Sequence, residues 1–403
     1  MQILTFSTLF PNPERPNHGI FIETRLRHLL ASGQVQARVV APVPWFPFRH
    51  SRWGKYASFA KVPQHETRFG IPVDHPRYFL PPKIGTNIAP EMLVHGAKPC
   101  IARLIDEGFN FDLIDAHYFY PDGVAAIKLG QYFNKPVVIS ARGSDISLLP
   151  QYKIPRKKIV WAAKKSHGLI TVCDALKDSL VKLGIDAKKI ITLRNGVDLQ
   201  LFHQADRIDA RKTCNLEGFV LLTVGHLVPV KGHELILRAL QSLPESTLLV
   251  IGEGPLRKDL EQLAQQLGIT HQVRFLGAMQ QSELRQYYSA ADALILASER
   301  EGWANVLLES MACGTPVIAS NVWGTPEVVA APEAGILMKE RTPSALVEAV
   351  RTMQQQPPER AHTRRYAEQF SWQATTDGQL QLFEKILQKS ASNHLGLTKN
   401  CVG

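Results

Sequence analysis

Short apolar runs alternate with helix-length amphipathic segments along almost the whole chain, and this alternation restricts the possible folds more than any other feature. In the first half the runs are "QILTFS", "ARVVAP", "DLIDAHY", "PVVISAR", "GLITV" and "KIITLRNG". In the second half they are "FVLLTVG", "TLLVIGEG", "VRFLG", "ALILAS" and "TPVIAS". Between them lie segments such as "FIETRLRHLLASG", "HELILRALQSL" and "SELRQYYSAAD", whose apolar residues recur with helical spacing. Near-continuous apolar strands are what a parallel sheet covered on both faces requires. The pattern therefore predicts an α/β chain of two doubly wound domains. Residues 1–200 form the first domain and 201–375 the second, with a helix and tail over 376–403. The polar stretch from Asp198 to Glu217 reads as the link.

A chain of 403 residues is long enough for two domains, and 45% hydrophobic with 20% charged residues fits a water-exposed globular protein. No apolar run approaches the roughly 18 residues of a spanning helix. The N-terminus, broken at Pro11 and Pro13, reads as a strand and loop rather than a signal peptide. The five cysteines are scattered, with no C-x-x-C pair, which argues for a reducing compartment and against a zinc site. The charge is lopsided: residues 1–200 carry 27 Lys and Arg against 15 Asp and Glu, while the second half is nearly balanced. A basic half suits an anionic partner or is simply a solvated surface. The chain has no recognisable nucleic-acid module.

Ligands of doubly wound domains bind beyond the carboxyl ends of the strands, so the loops there carry the most information. In "SEREGWANVLLESMACGTPVIAS" a strand ends near Ser298, a loop holds Glu301, and a helix opens near Asn305. The helix start offers N–H groups and a positive dipole end to a phosphate. Glu309 stands about 7 Å further along at 1.5 Å per residue, the span from a diphosphate to a ribose. Two glutamates at this spacing are by themselves equally an amphipathic helix with an acidic loop. "LLTVGHLVPVKG" sends another strand into a loop with His226 and Lys231, and "LVIGEGPLRKDL" supplies a G-x-G turn without the third glycine of a dinucleotide fingerprint.

Together these segments resemble retaining GT-B-type glycosyltransferases of family four, the glycosyl transferases group 1. The resemblance is specific from Gly225 to Val328 and looser before that. It implies two Rossmann-like domains facing a central cleft, with a nucleotide sugar held by Glu301, Gly302, Trp303, Ala304, Asn305, Val306 and Glu309. It implies that Lys231 clamps the donor diphosphate and offsets the charge of the leaving group. The family has an arginine where this chain has His226, which can still donate to phosphate. Backbone groups around Arg274 and Phe275, in "VRFLGAMQQSEL", are placed near the base. In "WGTPEVV", Glu327 is either a helix cap or part of the loop near the sugar.

In the first half, "PNHGIFIETRLRHLL" places Gly19 where the family has a glycine-bearing loop near the donor. "DLIDAHYFYPDGVAA" ends a strand at His117, which serves the reaction centre or is structural. "VVISARGSDISLL" carries Arg142 where relatives read histidine; an arginine does not act as a base, but it pairs with a phosphate or orients a carboxylate such as Asp145. "LRNGVD" matches the family at the hinge.

The site residues expected to take part in catalysis are therefore Glu301, Lys231, His117 and Arg142. The usual family picture has the leaving phosphate take the acceptor's proton, with positioning and charge stabilisation doing the rest. It implies no cofactor and no metal. The implied partners are a nucleotide-sugar donor and a glycan or lipid-linked acceptor. "PWFPFRHSRWGKYASFAK" and "YKIPRKKIVWAAKK" mix aromatic and basic residues, as an anionic membrane surface or a buried acceptor loop would require. The expected location is cytoplasmic, on the inner face of the plasma membrane if that surface is used. Two other classes fit parts of the pattern: a sugar-nucleotide epimerase of the same architecture, and a non-catalytic anion-binding protein.

Overall fold

The computed structural model describes residues 1–48, 50, 52, 55–81 and 85–399, with side chains given for all but Lys55 and 393–399. Arg49 and Trp53 of the basic-aromatic stretch, and Cys401, lie outside the described residues. The chain divides into two compact units. Unit 1 is Met1–Leu193 with Gln373–Gly403, and unit 2 is Arg194–Trp372. The division thus falls before the expected 200/201 boundary. The final helix, Trp372–Lys399, does not stand as a separate segment. It buries Leu380, Phe383 and Ile386 in the unit 1 core beside Ile3, Leu113 and Ile170.

In unit 1 the strands are β1 (Gln2–Phe6), β2 (Gln36–Val40), β3 (Val43–Pro44), β4 (His65–Arg68), β5 (Ile71–Asp74), β6 (Arg77–Tyr78), β7 (Leu113–His117), β8 (Val137–Ala141), β9 (Gly168–Thr171) and β10 (Ile190–Thr192). Eight of them form one sheet in the order β10-β9-β8-β7-β1-β2-β5-β4, and β3 pairs with β6 separately. All neighbours in the large sheet are parallel except the β4–β5 pair. That hairpin and the short β3–β6 pair lie between Val43 and Tyr78, where the sequence shows none of the apolar runs quoted above. His65–Arg68 alternates exposed with half-buried positions, so it carries no apolar run to read. β7 and β8 are buried at every position, as strands covered on both faces must be.

Unit 2 holds β11 (Phe219–Val224), β12 (Ser246–Ile251), β13 (Val273–Gly277), β14 (Ala293–Leu296), β15 (Val317–Ser320) and β16 (Gly335–Met338). They form an all-parallel sheet in the order β13-β12-β11-β14-β15-β16. The expected link is not structureless: it contains the helix Arg207–Cys214, capped by Asp206, whose carboxylate accepts from Asp209 N. Arg207 and Arg211 both pair with Asp292, and the Arg211 bond is 2.5 Å. These tertiary ion pairs hold a helix with little apolar content.

Chain order reverses between β1 and β7 in unit 1 and between β11 and β14 in unit 2. Ligands bind at such switch points. They bring together the loop before Gly19 with the segment after His117, and the Lys231 loop with the Glu301 loop. Among the described residues no helix is long and apolar enough to cross a membrane.

Candidate functional site

In unit 2, β11 ends at Val224 and the chain turns through Gly225 and His226 to Lys231. The lysine stem lies back over Gly225: a Cβ there would be 3.8 Å from Lys231 Cε. Lys231 Nζ donates to Glu301 Oε1 at 2.6 Å, and Ser298 Oγ donates to the same oxygen at 2.6 Å. Glu299 N donates to Val230 O at 2.8 Å, which ties the two loops by their backbones. Lysine and glutamate are both partly covered, with 24% and 11% of their side chains exposed. His226 is exposed, and its Nδ1 stands 3.4 Å from Glu253 O.

The G-x-G turn after β12 has a packing role. A Cβ on Gly252, at φ 142°, would lie 1.9 Å from Gly225 O. No side chain fits there, and the turn brings the β12 loop directly under the Lys231 loop.

Trp303 anchors the Glu301 loop. Its indole Nε1 donates to Asn195 O at 3.0 Å, and its ring centroid lies 6.0 Å from that of Phe370. It is 8% exposed and acts as a support for the loop. Ala304 is the N-cap of the helix Asn305–Ala312 and cannot cap it with a side chain. The N–H groups of Asn305 and Val306 thus open the helix next to Gly302 and Ala304, close in sequence to the Lys231–Glu301 pair. A helix N-terminus beside a lysine attracts an anion.

Glu309, on the second turn, is buried. Its Oε2 accepts from Tyr288 Oη at 2.8 Å and its Oε1 from Gln281 Nε2 at 3.4 Å. Burial pushes its carboxyl up to about 7, against the two hydrogen bonds. Nothing local in the sequence marks Tyr288 or Gln281; only a tyrosine at a helix position facing an apolar core hints at a partner for its hydroxyl.

The structure does not bring the Arg274 side chain to this cluster. Its guanidinium reaches back to Asn215 O at 2.7 Å and Cys214 O at 3.3 Å, at the end of the Arg207–Cys214 helix. Arg274 lies in mid-strand, three residues before the carboxyl end of β13. Phe275 is covered by Arg257, whose guanidinium carbon is 4.8 Å from the ring centroid. Glu327 pairs with Arg194 at 2.7 Å, and Gly324 N donates to Glu301 O at 3.3 Å, so this loop adjoins the Glu301 loop.

In unit 1, Gly19 caps the helix Ile20–Ala31 at φ 66°, and a Cβ there would lie 2.0 Å from Leu9 O. Asp122 holds the start of the same loop, accepting from Thr8 N at 2.7 Å and Ser7 Oγ at 3.1 Å. Burial pushes its carboxyl up to about 7. His117 and Arg142 are brought together: Arg142 Nη2 donates to His117 Nδ1. His117 Nε2 meets Asp115 Oδ2 at 3.2 Å. Asp145 differs from its expected role. It accepts from three backbone groups, Phe119 N at 2.9 Å, Gly143 N at 2.7 Å and Arg142 N at 3.1 Å. It fixes the backbone of Arg142, while the guanidinium turns to the histidine.

Residues 204–370 match the family model described as "Glycosyl transferases group 1", and residues 25–201 match "Glycosyltransferase Family 4". The chain is 29% identical over 362 residues to TuaC of Bacillus subtilis (strain 168), a glycosyltransferase by its name, assigned there to teichuronic acid biosynthesis. That match covers 87% of this chain and 88% of the relative. It is 30% identical over 307 residues to the D-inositol 3-phosphate glycosyltransferase of Saccharomonospora viridis, covering 69% of this chain and 70% of the relative. The crystal structure of HepE from Anabaena in complex with UDP-glucose superposes with a TM-score of 0.71 at 19% identity, over 97% of this chain and 99% of that one. At this identity the last likeness speaks to fold.

Proposed function

The chain belongs to the GT-B glycosyltransferases of group 1, and on that premise we propose that it moves a sugar from a nucleoside diphosphate sugar to a hydroxyl of a growing, lipid-linked glycan, with retention at the anomeric carbon. The observation that carries the donor assignment is the Lys231–Glu301 pair in the loops beside the N-terminus of the helix Asn305–Ala312, with Glu309 buried on its second turn. The diphosphate takes the helix N–H groups and the lysine, the ribose hydroxyls take Glu309, and Glu301 faces the sugar. HepE, of the same fold, holds UDP-glucose, which favours a uridine donor.

Transfer breaks the bond between the anomeric carbon and the diphosphate oxygen while the acceptor oxygen bonds the same face. The acceptor proton passes to the departing phosphate. Lys231 and the helix dipole stabilise the charge on that leaving group, which is the larger share of the work when no separate base is used. In this reading they take the place of a metal ion. Unit 1 carries the acceptor in this reading, and His117 and Arg142 are its candidate reactive groups. TuaC, named for teichuronic acid biosynthesis, favours a cell-surface glycan.

A second observation favours a lipid-linked acceptor. Trp45, Phe48, Tyr56 and Phe79 of unit 1 are exposed, as are Tyr152 and Ile154 at the start of the lysine-rich helix Lys153–Lys165. Lys158 of that helix bonds Asn87 O at 2.7 Å, and Trp45 N bonds Tyr78 O at 2.7 Å beside Phe79. Exposed aromatics together with a lysine-rich helix suit an anionic bilayer surface.

The test is thermal stabilisation by UDP, GDP, ADP and their sugar conjugates, with and without EDTA. Stabilisation by one nucleotide family, unchanged by EDTA, is expected. Absence of any shift at millimolar ligand would overturn the donor assignment.

A further inference from the structure

The helix Trp372–Lys399 turns an apolar stripe, Leu380, Phe383 and Ile386, into the core of unit 1. On the same face, one turn before Phe383, stands Gln379, only 1% exposed. A polar side chain on an apolar stripe has to be hydrogen-bonded, and its bonds form part of a chain of five residues. Arg25 Nε donates to Gln379 Oε1 at 2.8 Å. Gln379 Nε2 donates to Asp115 Oδ2 at 2.8 Å. The same carboxylate oxygen meets His117 Nε2 at 3.2 Å, and His117 Nδ1 meets Arg142 Nη2. All five residues are at least nine-tenths buried.

The polarity of this chain is forced. A guanidinium only donates, so Gln379 must present its oxygen to Arg25 and its NH2 to Asp115. Arg142 also only donates, so His117 Nδ1 must accept. The single proton of the neutral ring is then on Nε2, directed at Asp115. Two donor-only ends converge on one acceptor-only carboxylate, and neither the amide nor the imidazole can reverse without breaking a buried bond. Burial, and the guanidinium groups of Arg142 and Arg25 against the pull of Asp115, hold the imidazole down to about 4, so the ring is neutral at pH 7. As a neutral amide, Gln379 bonds Arg25 Nε and Asp115 Oδ2 without adding charge to the cluster.

We propose that Gln379 is a positioning residue for the transfer: it holds Asp115 Oδ2 on His117 Nε2–H, and so keeps the imidazole in place against Arg142 at the carboxyl end of β8. The inference rests on the reading that His117 and Arg142 serve the reaction. It assigns to a residue of the C-terminal helix, distant in sequence from every motif of the site, a share in the rate.

The test combines histidine-selective 15N NMR at pH 7 with kinetics of the full chain. The wild-type spectrum is expected to show His117 as the Nε2–H tautomer; an Nδ1–H or doubly protonated ring would overturn the inference without any variant. In Gln379→Met, of similar shape but unable to bond Asp115, Arg142 still imposes that tautomer, and the Nε2 15N shift should move as the ring's bond to Asp115 loosens. The variant's kcat should fall about tenfold while the donor KM stays within about twofold. An unmoved Nε2 shift, or a shift that moves while kcat stays at the wild-type value, overturns the proposal. His117→Phe with undiminished kcat would instead overturn the reading beneath it, and the wild-type tautomer would still report on the hydrogen-bond chain.

Discussion

Lys231 and Glu301, 70 residues apart in the chain, meet at 2.6 Å, on an oxygen that Ser298 also engages. The cation assigned to the donor diphosphate is therefore held by a carboxylate before any donor arrives. An ion pair in partly covered surroundings is geometrically selective and of modest net worth. Exchanging its carboxylate for phosphate oxygens costs little and places the lysine beforehand.

Lys231→Ala should lower kcat/KM for the donor at least tenfold, about 1.4 kcal/mol of lost transition-state stabilisation. Glu301→Gln should lower kcat more than KM. In the double variant the two losses should not add, because the residues share one bond. Steady-state kinetics on the four proteins reads this directly, and full additivity would count against a shared site.

Glu309 makes donor binding pH-dependent. Its carboxyl is pushed up to about 7 by burial, and the ionised form is the better acceptor for ribose hydroxyls. Nucleotide affinity should rise as pH increases through about 7, and Glu309→Gln should flatten that rise while weakening binding about tenfold at pH 8. Tyr288→Phe removes the hydroxyl that favours the ionised form and should move the midpoint higher. For stability the sign is opposite. The folded state holds this proton up to about 7 and the unfolded chain only near 4.5, so the contribution is complete below the lower value and lost as pH rises through the upper one. Calorimetric titrations with nucleotide from pH 5.5 to 8.5, and urea midpoints of wild type against Glu309→Gln, check the two signs.

Gly252→Ala should destabilise the fold by about 2–4 kcal/mol, since the backbone is in a region closed to side chains and the new Cβ would strike Gly225 O. Loss of nucleotide binding should accompany the fall in Tm, because the displaced element is the floor of the Lys231 loop. A variant with unchanged Tm would show that the turn tolerates a side chain after all.

The exposed aromatic residues of unit 1 give a separate expectation. Wild-type protein should sediment with vesicles containing phosphatidylglycerol and not with pure phosphatidylcholine, and the binding should weaken at high salt. Replacing Trp45 and Phe79 together by serine should reduce it severalfold while leaving thermal stability close to wild type, since both rings are more than half exposed. Equal binding to both vesicle types would remove the membrane from the proposal.

Much of this architecture is legible because buried parallel strands leave continuous apolar runs. β1, β7, β8, β11, β12, β14 and β15 all sit on such runs. β4 and the helix Arg207–Cys214 are not legible. The first is polar along its length, and the second is held by Asp292, 81 residues beyond Arg211. The Glu301, Lys231 and Glu309 positions are readable from loops that follow strands. The partners that tune them are not. Tyr288 is visible only as a helix residue until the fold places its hydroxyl on Glu309. Gln379 is 264 residues from Asp115, and nothing local in either segment refers to the other. Arg142 shows the same limit: its neighbour in sequence, Asp145, takes its backbone, and its side chain goes to a histidine 25 residues earlier.

Because the last helix belongs to unit 1, that unit is not one continuous stretch of chain, and its assembly is tied to the schedule of synthesis. Residues 194–372 must be synthesised before Gln379 exists. At ordinary translation rates this interval is about 10–40 s. During it, Arg25 and Asp115 are already present without the amide that joins them, and the apolar seat for Phe383 is uncovered. Unit 2, a single unbroken stretch, has no such wait. The first half of the chain to be made is therefore the last to be finished, and a nascent chain stalled anywhere in unit 2 displays an unfilled hydrophobic groove to the cell's chaperones.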